Sequence, residues 1–205
     1  MRGYMESIKQ LEHYAHDIVL NINRLLIDQN IIEEILNLYR QFCSSEGARK
    51  LGISEKLITN ETRLRIHFEC LCFSTFCALL QSSHFLTENS QFVVNQKHYK
   101  LFDGVLATEL IELCRDAGMN NLSEIVITAI TPEVKFGYGD NVNPLNRLEE
   151  YRRWFVKKRG SELERFGKRI GMSLDPPHYP LLEMIGGCFG ELLQLSQEAM
   201  ENAKI

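Results

Sequence analysis

The chain of 205 residues fits one large domain, and its composition is that of an ordinary globular protein. Apolar residues make up 44% of it and charged residues 24%, so a sizeable core can form without disulfide bonds. The net charge of −4 is too small to predict a nucleic-acid or membrane partner by itself. The N-terminus lacks the apolar stretch of a signal peptide, and the most apolar run, residues 70–80, is about half the ~20 residues of a membrane span. We therefore expect a cytoplasmic protein without a membrane-spanning segment.

The six cysteines predict free thiols rather than a metal or disulfide framework. They lie mostly within apolar helical patterns, and none forms a CxxC pair, which argues against a zinc knuckle or a thioredoxin-type motif. Buried cysteine behaves as a small apolar residue, and free thiols are typical of a reducing cytoplasm.

The first forty residues predict two helices in succession. Apolar residues recur there every three or four positions, which is the period of a helix face packed on a core. Asn30 and Glu33 have the spacing of a capping box, so the second helix is predicted to begin at Asn30. The short connection predicts an antiparallel helical hairpin or one kinked helix, and we expect the hairpin. The core positions are Ile8, Leu11, Ala15, Ile18, Val19, Ile22, Leu25 and Leu26 in the first helix, and Ile31, Ile35, Leu38 and Phe42 in the second.

A third pattern, over residues 54–82, predicts the central helix of the core, since its second half is apolar nearly all round. We expect its most deeply buried residues to be Phe68, Leu71, Phe76 and Leu79. Glu69 is an acid within this apolar run, and Arg65, four residues earlier, is its expected partner. One side of the helix carries groups that can ligate zinc, but core packing is the favoured interpretation; these are His67, Cys70, Ser74 and Cys77.

The middle of the chain combines strand and helix signals. Two short strands around a turn are predicted as a small β-hairpin near residues 92–102. A helix follows Asp103-Gly104, and Gly118 is predicted to end it in a left-handed conformation. Residues 122–131 fit a helical face but are rich in β-branched residues, so a buried strand is the alternative to the helix that we prefer.

The last third of the chain predicts two more helices. Pro144 suits the first turn of a long helix that reaches about Ile170, and the final helix is predicted from Pro180. The loop at 132–143 is the best candidate boundary, yet we expect one domain over residues 1–205. The predicted fold is therefore mainly α, a single-domain bundle of six or seven helices with one small β-hairpin.

Three residues of the first helix are candidate metal ligands. His13, His16 and Asp17 are spaced three and four apart, so they share one helix face and could bind one metal ion. The His16-Asp17 pair resembles the His-Asp pair of HD-type phosphohydrolases, which helps to hold a metal; the resemblance covers these two residues. A solvated polar helix face is the alternative, and we favour it because His13 points away from the core stripe.

The helix from residue 144 to 170 is a candidate surface for nucleic acid or an acidic partner. It carries nine Lys or Arg residues against four Glu residues, although the chain as a whole is acidic. The acids lie at pairing distances from the bases, which weakens this interpretation. The residues singled out are Arg152, Arg153, Lys157 and Lys158.

Glycines within the last two predicted helices need a packing reason, because glycine costs about 1 kcal/mol relative to alanine inside a helix. Gly160, Gly167, Gly186 and Gly190 are therefore predicted to allow close helix packing, either within the chain or across a dimer.

The sequence leaves three classes of function open. We favour an oligomerising interaction or regulatory protein, with a homodimer as the expected assembly. A small-ligand-binding protein or metal-dependent enzyme with a pocket between helices is the first alternative. A nucleic-acid-binding protein using the basic helix is the second. No motif indicates a catalytic residue or a cofactor, beyond the candidate metal face on the first helix.

Overall fold

A computed structural model describes residues 2–50, 59–88, 96–127, 136–141, 143–157 and 188–203, and these are mainly helical. The described helices are α1 (Arg2–Asp28), α2 (Ile31–Ser44), α3 (Glu46–Lys50), α4 (Asn60–Glu88), α5 (Gln96–Asp116), α6 (Pro144–Lys157) and α7 (Cys188–Asn202), with a 3-10 turn at Met119–Asn121. The prediction of a mainly α bundle of six or seven helices is confirmed.

The junction of α1 and α2 lies where the sequence predicts it, but it forms in a different way. Asn30 adopts a left-handed backbone conformation with φ 56°, and its side chain makes no capping hydrogen bond. The predicted capping box is therefore wrong. Asparagine is one of the few residues that tolerate this conformation, so Asn30 ends α1 and redirects the chain into a separate helix.

The core is built around α4, as predicted. Phe68, Leu71, Phe76 and Leu79 are all at most 2% exposed. The helix packs against α1, α2, α5, α6 and α7, and α1 also packs on α5 and α7. A helix surrounded by five others needs apolar residues on every side, which explains the absence of a polar stripe in the second half of α4.

The predicted β-hairpin near residues 92–102 is wrong from residue 96 onward, because α5 begins at Gln96; residues 92–95 lie outside the described residues. Phe102, Leu106, Leu110 and Cys114 are buried at a spacing of four, so the helical stripe continues into the segment that reads locally as a strand. The Phe102 ring stacks on Tyr14 of α1 at a centroid distance of 5.7 Å. Packing between helices thus overrides the local strand preference.

The described strands lie later in the chain. β1 (Ser123–Ile127) pairs antiparallel with β2 (Phe136–Asn141), with Ile125 opposite Tyr138 and Ile127 opposite Phe136. The preferred helix over 122–131 is therefore wrong for residues 123–127, where the β-branched residues form a strand; residues 128–131 lie outside the described residues. Gly118, with φ 74°, follows α5 in the predicted left-handed conformation.

Helices from both sides of the candidate boundary at 132–143 pack against each other. α6 contacts α4 and α5, and α7 contacts α1 and α4. Pro144 begins α6, where the backbone N–H of Leu145 donates to Asn143 Oδ1 at 2.9 Å. None of the described helices combines the length and the hydrophobicity needed to cross a membrane.

Candidate functional site

The most unusual polar feature of the core is a buried ionic cluster formed by Glu69 of α4 with Arg147, Glu150 and Tyr151 of α6. Arg147 Nη2 lies 3.1 Å from Glu69 Oε1, and Arg147 Nη1 lies 2.6 Å from Glu150 Oε2. The Tyr151 hydroxyl donates to Glu69 Oε2 at 3.2 Å. The side chains of Arg147 and Glu69 are only 5% and 6% exposed, so both oxygens of a buried carboxylate receive a donor.

The structure shows Arg147 as a partner of Glu69 that the sequence did not indicate. Arg65, the predicted partner, contacts Glu61, with Nη2 2.6 Å from Oε1, one turn towards the start of α4. The contact of Glu69 with Arg147 joins residues 78 positions apart, which no local spacing rule can indicate. Arg147 and Tyr151, which complete the cluster, belong to the helix that the sequence predicts as a candidate basic surface.

Aromatic rings and thiols surround the cluster. The Tyr151 ring stacks on the Phe76 ring at a centroid distance of 5.7 Å. It makes a T-shaped contact with the Phe73 ring at a centroid distance of 5.3 Å. Burial raises the pKa of the Cys72 thiol well above its usual value, and nearby Cys114 and Glu69 raise it further. Burial also raises the pKa of Cys114 to about 12. These cysteines therefore remain protonated at neutral pH and are poor nucleophiles.

The buried ionic cluster connects α4 and α6, and both oxygens of its Glu69 carboxylate are bound by residues of α6. A catalytic acid or base must reach a reacting group, whereas both Glu69 oxygens already accept hydrogen bonds from the protein. The arrangement fits a structural connection of α6 to α4 better than a reaction centre.

The side of α4 that carries potential zinc ligands packs in the core, which is the interpretation favoured from the sequence. Cys70, Ser74 and Cys77 are buried, and the cysteines at 43, 70, 72, 77 and 114 are free thiols. His67 is partly buried, and its Nε2 donates to Asn23 Oδ1 of α1 at 2.8 Å. Burial lowers the pKa of His67 to about 4, so this imidazole is neutral at physiological pH.

The candidate metal ligands of α1 divide into two separate pairs on its surface. His13 Nε2 lies 3.4 Å from Asp17 Oδ2, whereas His16 Nδ1 donates to Glu109 Oε2 of α5 at 2.6 Å. Among the residues that the structure describes, no group of three or more His, Cys, Asp and Glu side chains is arranged to hold a metal ion. Metal binding at His13, His16 and Asp17 stays a prediction, and the geometry adds no support to it.

The candidate basic surface is partly neutralised within the chain. Arg152 Nη2 lies 2.6 Å from Asp103 Oδ1 of α5, and Nη1 lies 3.5 Å from Glu149. Arg153 and Lys157 belong to α6, and Lys158 lies outside the described residues. Nucleic-acid binding by this helix stays a prediction, although Arg147 and Arg152 make ion pairs inside the protein.

Of the four candidate packing glycines, the structure describes Gly190. The other three, Gly160, Gly167 and Gly186, lie outside the described residues. Gly190 is exposed in α7, and a Cβ placed there would meet no described atom within 4 Å. Close packing within the described chain therefore does not require a glycine at this position. A role for Gly190 in a contact between copies stays a prediction.

A surface that was not predicted from the sequence lies on α1, opposite its core stripe. Leu20 and Ile27 are 45% and 54% exposed, and apart from Leu145 they are the large apolar residues exposed in the described part of the chain. Their spacing of seven places them on one helix face. His13, Asp17, Leu20, Arg24 and Ile27 follow one another at spacings of four and three, and we name this set the outer face of α1.

The outer face has the spacing of a helix that packs against a partner helix. Alternation of three and four residues defines the contact seam of paired helices. Leu20 and Ile27 lie in the middle of the exposed sector, and Arg24, also exposed, and the half-exposed Asp17 lie beside them. The available sequence signal was two apolar residues, seven apart, that do not belong to the core stripe.

Comparison with known proteins returned no match: no family model, no curated protein and no solved structure is similar to this chain.

Proposed function

We propose that this protein is an oligomerising interaction or regulatory protein, and that the outer face of α1 is its contact surface. The observation that carries the proposal is the exposure of Leu20 and Ile27 on one face of a long helix whose other face is fully used by the core. Exposed apolar side chains that share one helix face make that face a candidate for a protein–protein contact.

Self-association is the form of interaction that we favour. Covering the exposed parts of Leu20 and Ile27 in two copies would stabilise a dimer by a few kcal/mol, on the scale of roughly 25 cal/mol per Å² of buried apolar surface. A dissociation constant in the micromolar range needs about 8 kcal/mol, so the charged residues beside Leu20 and Ile27 must add to the contact for a dimer to form at micromolar concentrations. A homodimer is the simplest closed assembly that a single surface produces.

The cytoplasm is the proposed compartment. The cysteines at 43, 70, 72, 77 and 114 are free thiols, four of them buried, and free thiols persist in a reducing environment.

The proposal is tested by the mass of the protein in solution at micromolar concentrations. We expect wild-type protein to form a dimer of the 23.7 kDa chain in native mass spectrometry and in size-exclusion chromatography with light scattering. The double variant Leu20→Glu/Ile27→Glu should be monomeric, because association would bury four unpaired carboxylates. The same native spectrum would reveal a bound metal ion or small molecule.

Leu145→Glu is the matched control, since Leu145 on α6 has the same 45% exposure as Leu20. This variant should remain dimeric. Far-UV circular dichroism should show unchanged helix content in both variants, because all three positions are exposed. A wild-type protein that is monomeric throughout this range would contradict the proposal.

A further inference from the structure

We propose that the outer face of α1 binds the same face of a second copy, with the two helices antiparallel about a twofold axis close to Leu20. This inference rests on the proposed self-association and adds to it the partner surface, its orientation and the residues that select it.

The order of charges along α1 favours the antiparallel orientation. Asp17 lies three residues before Leu20, and Arg24 lies four residues after it. Reversing one helix about Leu20 places Arg24 of one copy within one residue, about 1.5 Å along the axis, of Asp17 of the second copy. The twofold axis repeats this opposite-charge contact, so the pair forms twice. A parallel alignment would instead place Asp17 against Asp17 and Arg24 against Arg24.

The remaining residues of the face agree with the same alignment. The two Leu20 side chains meet near the axis and cover each other. Ile27 of one copy lies opposite His13 of the second, whose imidazole offers a flat surface to it. Asp28, also exposed, follows Ile27 and lies within reach of that His13. Leu20 is thus covered at the centre of the contact, the Asp17–Arg24 pairs lie about one turn to either side, and Ile27 is covered by His13 at each end.

The contact closes on itself. In a twofold interface each copy uses the same residues, so a dimer leaves no second outer face free for further growth. The charged residues Asp17 and Arg24 therefore act as orientation selectors, whereas Leu20 and Ile27 supply the buried apolar area.

Charge reversal tests the orientation. Asp17→Arg and Arg24→Glu should each convert two opposite-charge contacts into two like-charge contacts and should raise the dimer dissociation constant about tenfold or more. The double variant Asp17→Arg/Arg24→Glu restores opposite charges at both contacts, so its dissociation constant should return close to that of the wild type. Sedimentation equilibrium at low ionic strength measures all four proteins.

Glu46→Arg on α3 is the control, because it reverses an exposed charge on a helix that packs on α2, and it should leave association unchanged. A double variant that stays as dissociated as the single variants would overturn the antiparallel pairing. So would single variants that associate like the wild type. If the wild type dimerises and Leu20→Glu/Ile27→Glu does not, the proposed function stands even when this orientation fails; a monomeric wild type removes both.

Discussion

Arg147 shows how a single residue can hold two helices of this bundle together. Its guanidinium lies between the carboxylates of Glu69 and Glu150, and almost no solvent reaches it. A buried pair adds little net stability when both partners are present, because both charges lose their hydration. Removing one partner is costly, however, because the other charge then stays buried without its partner.

We therefore expect Arg147→Met to lower the free energy of unfolding by about 3 kcal/mol. Methionine has a similar length and is apolar, so the loss reports the uncompensated Glu69 carboxylate rather than a cavity. The double variant Glu69→Gln/Arg147→Met should be less destabilised than the sum of the two single variants. Urea denaturation of the wild type, the two single variants and the double variant gives a double-mutant cycle. If the losses in unfolding free energy of the single variants add up to that of the double variant, the two residues are not coupled.

His67 makes stability depend on pH in a defined window. Its pKa is about 4 in the folded protein and about 6.5 when unfolded, because burial penalises the charged imidazole. Between these values the unfolded state binds more protons than the folded state, so stability falls as the pH falls. The neutral His67 contributes about 3 kcal/mol to the free energy of unfolding above pH 6.5. This contribution is lost on acidification to about pH 4.

The variant His67→Gln should flatten this part of the stability profile, since glutamine can still donate to Asn23 but does not titrate. Thermal or urea unfolding at a series of pH values between 4 and 7 compares the variant with the wild type. Equal slopes in the two proteins would assign the acid sensitivity to other groups.

At the scale of elements, the connection between α1 and α2 depends on backbone conformation rather than on a side-chain cap. Asn30 ends one helix and starts the next with its backbone, and Glu34 N–H donates to its carbonyl at 2.9 Å. Left-handed backbone costs roughly 1–2 kcal/mol for most residues, less for asparagine and little for glycine.

Asn30→Ala and Asn30→Ser should each lose about 1 kcal/mol of stability, whereas Asn30→Gly should stay within a few tenths of the wild type. Serine is the informative comparison, because it is as good a helix cap as asparagine but is less suited to positive φ. Denaturant unfolding measures the difference, and a serine variant as stable as wild type would support a capping role instead.

Element boundaries were predictable where the pattern was long and local. The helical stripes of α1, α2 and the middle of α4 were visible because every third or fourth residue is apolar. The start of α5 was not, since residues 96–102 carry a strand-like composition and become helical where Phe102 packs on Tyr14. For residues 123–127 the strand was the alternative to the preferred helix, because the β-branched residues Ile125, Val126 and Ile127 fit either period.

At the scale of the whole molecule, late helices complete a core that early helices begin. α7 packs on α1 and α4, and Ser196 Oγ, for example, donates to the carbonyl of Ser74 at 3.1 Å. α6 packs on α4 and α5 and contributes Arg147 and Tyr151. The outer face of α1 remains exposed after this assembly in the described part of the chain, and that exposure is the basis for the proposed self-association.

Local sequence was enough to identify the core faces of α1, α2 and the middle of α4, because burial follows a periodicity that neighbouring residues define together. It also identified Gly118 as a left-handed helix end, since few other residues take that conformation without strain. The tertiary structure alone decided that Glu69 pairs with Arg147, that Arg152 faces Asp103, and that Leu20 and Ile27 stay exposed. Those outcomes depend on which helices become neighbours, and residues far apart in sequence carry no local signal of the contacts that they will make.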